Sequence, residues 1–162
     1  MLDIQKAPLK ELLGFAIRSE IDSHDVYSDL AQKYSNPLLK EKFEWLAFEE
    51  GKHRITLEKL FDALLPDEKL EIPDKPSKEL FKRIVITPTS TLVDLLYQAM
   101  ESEKRAEEFY GRLADRIGPP HHKILEYLSQ VEHSHYTMLS GEYVLAQGFE
   151  DYGEKDIDKV VT

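Results

Sequence analysis

Residues 44–57 read EWLAFEEGKHRITL and residues 126–139 read EYLSQVEHSHYTML. Set together at an offset of 82, Leu46 falls on Leu128, Glu50 on Glu132, His53 on His135 and Leu57 on Leu139. Trp45 and Tyr127 also coincide, and read as core or interface aromatics. A second match, at an offset of 83, places Ala16 on Ala99, Ser19 on Ser102, Glu20 on Glu103, Tyr27 on Tyr110, Leu30 on Leu113 and Ala31 on Ala114. Each half of the chain thus carries a lone Glu and, about thirty residues later, a Glu-x-x-His pair. Four Glu and two His in this pattern are what a four-helix bundle uses to hold two metal ions.

The apolar residues around these positions follow the helical period. A first helix is expected over about residues 8–34, with Leu13, Ala16, Ile17, Tyr27, Ala31 and Tyr34 on one stripe. Asn36 and Pro37 read as an N-cap followed by proline in the first turn, opening a second helix that Pro66 stops. A third begins near Thr91 with Asp94 placed for a capping box, and Gly118 with Pro119 and Pro120 separates it from a fourth ending at Gly148. The architecture predicted is an all-α four-helix bundle over residues 1–148, with an acidic C-terminal tail, 149–162, loosely held or used in a contact. Helices one and two, and three and four, are joined by a few residues and should form antiparallel hairpins. Between the hairpins a crossover of about twenty-five residues holds four of the eight prolines. It is expected to run the length of the bundle, to contain a short helix over residues 77–86, and to give the second hairpin the polarity of the first.

On a helix, Glu50 and His53 lie about 60° apart on one face, as do Glu132 and His135. All four sit in apolar stripes, as do Glu20 and Glu103. Burying a carboxylate without a partner costs several kcal/mol, and four in one core would repel one another. Two divalent cations balance four carboxylates, and neutral imidazoles complete the coordination. Glu50 and Glu132 are assigned as bridges and Glu20 and Glu103 as terminal ligands. A single Glu-x-x-His arises by chance on solvated faces; two in register, with two matched Glu, require a common cause. Tyr27 and Tyr110, seven residues after Glu20 and Glu103, are expected to hydrogen-bond to ligand carboxylates. His24 and Glu107 also match in the repeat and are placed on an exposed edge of the stripe, with a role as extra ligands left open. His121, His122 and His133 read as surface residues.

Composition narrows the alternatives. With no cysteine there is no disulfide, thiolate nucleophile or iron–cysteine centre in these 162 residues, so a metal must sit on carboxylate and imidazole, which suit Fe, Mn or Zn. A formal net charge of −10 with no basic cluster argues against a nucleic-acid partner. No stretch approaches the ~20 apolar residues of a membrane span, and MLDIQKAPLK lacks the apolar run of a secretory signal, so a cytoplasmic location is expected.

The pattern Glu20, Glu50-x-x-His53, Glu103, Glu132-x-x-His135, with Tyr27 and Tyr110, resembles the ferritin-like superfamily, and within it the di-iron domain of rubrerythrin. The likeness spans about residues 8–147. It implies a non-haem di-iron centre that reduces hydrogen peroxide or oxygen, or that oxidises ferrous iron, and a homodimer. The sequence departs from rubrerythrin in two places. There is no rubredoxin-like domain, which implies a separate electron donor protein. The additional Glu three residues after the third-helix ligand is Ala106 here, with Glu107 one residue further round. Two other readings stay open: a non-catalytic iron-handling protein, and a structural bundle holding another divalent metal.

Overall fold

The computed structural model describes residues 1–149 and 151–154. Four helices make up the architecture: α1 (Leu9–Lys33), α2 (Pro37–Leu64), α3 (Leu92–Ile117) and α4 (His122–Gly148). Their boundaries follow the local signals. Asn36 accepts hydrogen bonds from the backbone N–H of Leu38 and Leu39 at 3.1 and 3.3 Å and so caps α2. Thr91 and Asp94 form a reciprocal capping box at the start of α3. Gly118, at φ 69°, takes a positive-φ backbone open to glycine and ends α3.

The apolar stripes bury two core clusters. One joins Leu13 and Ile17 of α1, Leu57 and Phe61 of α2, Phe109 and Leu113 of α3, and Leu125 and Leu128 of α4. The other joins Tyr27 and Leu30, Leu39 and Phe43, Leu95 and Ala99, and Leu139 and Ala146. Each helix contributes one end to one cluster and its other end to the other, and Glu20, Glu50, Glu103 and Glu132 fall between. The bundle is therefore two apolar plugs with a charged layer at mid-height.

This arrangement sets the directions. α1 and α2 pack as an antiparallel hairpin, as do α3 and α4, while α2 meets α4 more sparsely. α3, however, starts at the end where α1 finishes, so the second hairpin runs opposite to the first rather than sharing its polarity. The reason is the crossover: it leaves α2 beside the N-terminus of α1 and spans the bundle before α3 can begin. The repeats are thus related by a pseudo-twofold perpendicular to the bundle axis.

The crossover contains no helix over residues 77–86. Over that stretch it makes one turn, closed by the Phe81 N–H bonding to the Ser77 carbonyl at 3.0 Å, with further turns at 65–68 and 87–90. Leu80, Phe81 and Ile84 are pulled into the cores instead, with the Phe81 ring 4.7 Å from that of Phe109. Its backbone also presses on α1, where a Cβ at Gly14 would stand 2.6 Å from the Glu71 carbonyl oxygen. After α4, the chain returns to the bundle: the Asn36 side-chain amide donates to the Tyr152 carbonyl at 2.7 Å, and the Asn36 N–H to the Gly153 carbonyl at 3.0 Å. Position 150 and the tail beyond 154 lie outside the described residues. No helix among those described is long and apolar enough to cross a membrane.

Candidate metal centre

All six predicted ligands come together in the charged layer, each between 0 and 3% exposed. Their donor atoms form two sets, each with atoms within 4.8 Å of one another: Glu20, Glu50, His53 and Glu132; and Glu50, Glu103, Glu132 and His135. The sets share Glu50 and Glu132. The imidazoles of His53 and His135 stack at 5.5 Å between α2 and α4.

The tyrosines tie the layer together across the pseudo-twofold. The Tyr27 hydroxyl donates to Glu103 Oε1, and the Tyr110 hydroxyl to Glu20 Oε1. Each repeat thus holds the terminal carboxylate of the other, a pairing that the antiparallel course of α1 and α3 requires. Burial first, then the facing carboxylate, pushes both phenols well above their ordinary range, so they stay protonated donors.

The electrostatics fit a missing positive charge. Burial, and after it the neighbouring carboxylates, pushes Glu50 and Glu132 well above the ordinary carboxylate range. Burial works against a charged imidazole, yet Glu132, Glu20 and Glu50 around His53, and Glu103 beside His135, raise both above the ordinary value. Glu103 is lowered: burial opposes its ionisation, but the hydrogen bond and charge of His135 outweigh it. Three buried donor atoms, Glu50 Oε2, His53 Nδ1 and His135 Nε2, have no hydrogen-bond partner. His53 Nδ1 lies 3.0 Å from Glu50 Oε2 and 3.2 Å from Glu132 Oε1 without forming a hydrogen bond to either. Four carboxylates and two imidazoles gathered in one buried layer, with Glu50 Oε2 and His53 Nδ1 unpaired inside it, fit divalent cations of the iron, manganese or zinc type.

The remaining candidates stand apart. His24 is exposed and bonds through Nδ1 to the Ala47 carbonyl at 2.8 Å. Glu107 turns to His133, 3.2 Å away, and Ala106 is buried in the first core cluster. His133 is exposed, but His121 and His122 are half-buried rather than surface residues. Trp45 and Tyr127 are not core: they are 44 and 59% exposed, although the Trp45 ring meets His135 edge-on at 5.3 Å. A cavity of about 660 Å³ opens under the crossover, lined by Val26, Phe81 and Ile84 among others, and none of the six ligands reaches it.

Two buried carboxylates escaped the sequence reading. Glu142, seven residues after His135, pairs with Lys42 and accepts from the Tyr152 hydroxyl. Glu49, 9% exposed and one turn before His53, forms a third set with His53 and His135. In each case helical spacing from a ligand was the available signal.

The chain matches the Rubrerythrin family over residues 11–143 and belongs to that family. Its fold is also similar to that of a hypothetical protein from Pyrococcus furiosus, at 33% identity and a TM-score of 0.79, covering 91% of this chain and 98% of the other. No curated protein matches it significantly.

Proposed function

We propose that this chain is a dinuclear iron protein that carries out redox chemistry with peroxide or dioxygen. The observation that carries the reading is the sharing of Glu50 and Glu132 between two buried four-residue sets. One ion would be held by Glu20, Glu50, His53 and Glu132, the other by Glu50, Glu103, Glu132 and His135. When bound, a pair of iron ions supplies the electrons that reduce such an oxidant.

The chain's own residues create the conditions. Glu50 and Glu132 hold the two positions in register, and the apolar plugs on either side keep bulk water from the layer. Tyr27 and Tyr110 fix Glu103 and Glu20 by charge-assisted hydrogen bonds, restraining the terminal carboxylates while the central pair is free to shift. With no cysteine in these 162 residues, renewed electrons come from outside the bundle. A homodimer is the assembly proposed, by likeness to the family.

A second reading has one observation in its favour. Ala106 leaves α3 without an additional carboxylate at the layer, and Glu107 faces His133 instead. Six ligands alone suit an iron-handling protein that takes up and passes on iron without turnover. One experiment separates the two: load the protein anaerobically with Fe(II), add successive equivalents of hydrogen peroxide with an excess of a one-electron reductant, and follow peroxide consumption and ferric absorption. Repeated cycles at a steady rate support the enzyme. A single stoichiometric oxidation supports iron handling, and no spectral change refutes both.

A further inference from the structure

The six inner ligands are nearly sealed, so a cation needs a way in. The hairpins close two sides of the layer, along α1–α2 and α3–α4, and the crossover roofs a third above the cavity already described, with Ile84 in the core beside Leu95 and Ala99. The α2–α4 seam is packed far more sparsely than either hairpin. On that seam Glu49 is the carboxylate nearest solvent, and its oxygen comes within 4.8 Å of donor atoms of both His53 and His135.

Two further facts mark this spot. His135 turns Nδ1 toward Glu132 and Glu103, at 3.1 and 3.5 Å, which leaves the opposite ring nitrogen, Nε2, fully buried and without a partner. The feature also belongs to one half of the molecule alone: at the repeat offset of 82, Glu49 falls on Val131. Outside, Lys52 holds Glu49 Oε1 at 2.6 Å, and the Lys52 side chain is 51% exposed. An exposed cation thus occupies the carboxylate until a more strongly charged one displaces it.

We propose that Glu49, with His53 and His135, is a transient capture site on the α2–α4 seam through which divalent cations load the inner centre. The inference rests on the metal-binding reading of the inner layer. Because the capture set borrows two inner ligands, it is vacated when the inner sites fill. The ion leaves Glu49 for the shared carboxylates, Glu50 and Glu132, and Lys52 closes on Glu49 again.

Trp45 provides the readout. It is the single tryptophan and lies against His135, so cobalt arriving at the layer quenches its fluorescence. Stopped-flow mixing of the full chain with Co(II) gives the loading rate, and equilibrium dialysis gives the final stoichiometry. In Glu49→Gln, which keeps shape and removes charge, loading is expected to slow about tenfold, the loss of one steering charge at a narrow mouth, with stoichiometry unchanged. In Lys52→Met, which removes the competing cation, loading accelerates. An unaltered rate in Glu49→Gln, or a slower one in Lys52→Met, overturns the capture site while leaving the inner centre intact. Loss of a bound ion at saturation in Glu49→Gln makes Glu49 a permanent ligand and also overturns it. A wild-type chain that takes up no Co(II) refutes the inner centre and the capture site together.

Discussion

Metal loading should expel protons, and the structure sets the scale. In the metal-free protein the surrounding carboxylates hold His53 and His135 above the ordinary imidazole value of 6.5 despite their burial. Burial and mutual repulsion hold Glu50 and Glu132 above theirs. A divalent ion needs imidazole neutral and carboxylate ionised, so each imidazole that carries a proton gives it up on loading, at most two per chain. Any proton kept by Glu50 or Glu132 adds to that number. Calorimetric titration with Co(II) in phosphate, HEPES and Tris measures it, because the observed enthalpy varies with buffer ionisation enthalpy with a slope equal to the protons released. The affinity for the ions should accordingly rise with pH near neutrality. The same shifts fix the sign for stability without metal. A folded-state pKa raised above the unfolded one gives stability that is complete below the unfolded value and lost as pH climbs toward the folded one. Each such proton contributes about 1.4 kcal/mol per pH unit. The metal-free protein should therefore melt at lower temperature as pH rises, first above about 4.5 through Glu50 and Glu132 and further above about 6.5, the unfolded imidazole value. Glu103, lowered rather than raised, acts in the opposite direction only near and below its ordinary value of 4.5. A buffer slope near zero would refute the reasoning, since the layer would then already be ionised and its imidazoles neutral.

Three further outcomes follow from particular contacts. Tyr27→Phe and Tyr110→Phe each remove a hydrogen bond to a buried carboxylate, and each should lower stability by about 1.5–3 kcal/mol in urea unfolding; losses under about 0.5 kcal/mol would show the phenols to be mere packing. Asn36→Ala removes both the α2 cap and the tether to Tyr152, at a cost of about 2 kcal/mol. Asn36→Asp keeps the cap and loses the tether, so it should cost less, and equal losses would contradict the division. Gly14→Ala should destabilise by about 1–3 kcal/mol although alanine favours helix, because its Cβ would collide with the Glu71 carbonyl. A stabilised variant would mean that the crossover yields there.

The ligands were legible because duplication prints the pattern twice. One Glu-x-x-His is ambiguous, but Glu50–His53 and Glu132–His135 in register, with Glu20 and Glu103 matched, leave little choice of core face. Caps such as Asn36 and Thr91 were legible because they act within four residues. What was missed depends on the third dimension. The crossover does run the length of the bundle as expected, but that course returns the chain to the end where α1 finishes and so reverses the second hairpin. Once α3 is reversed against α1, Tyr27 must meet Glu103 rather than the Glu of its own repeat. Residues 77–86 carry helical apolar spacing, yet Phe81 and Ile84 gain more from reaching two cores than from closing helical turns. Glu49 and Glu142 have no matched Glu in the other repeat to mark them, and the facing helix supplies a neighbour to each, His135 for one and Lys42 for the other. Trp45 and Tyr127 match in the repeat because both halves share a seam, not because the seam is covered.

The central claim, two metal positions joined by Glu50 and Glu132, is tested most directly by anomalous diffraction from crystals of the iron-loaded protein. The account predicts two peaks per chain, about 3.5–4 Å apart. Both should lie within bonding distance of Glu50 and Glu132, one also beside Glu20 and His53 and the other beside Glu103 and His135. A single peak, or two peaks that share neither carboxylate, would contradict it.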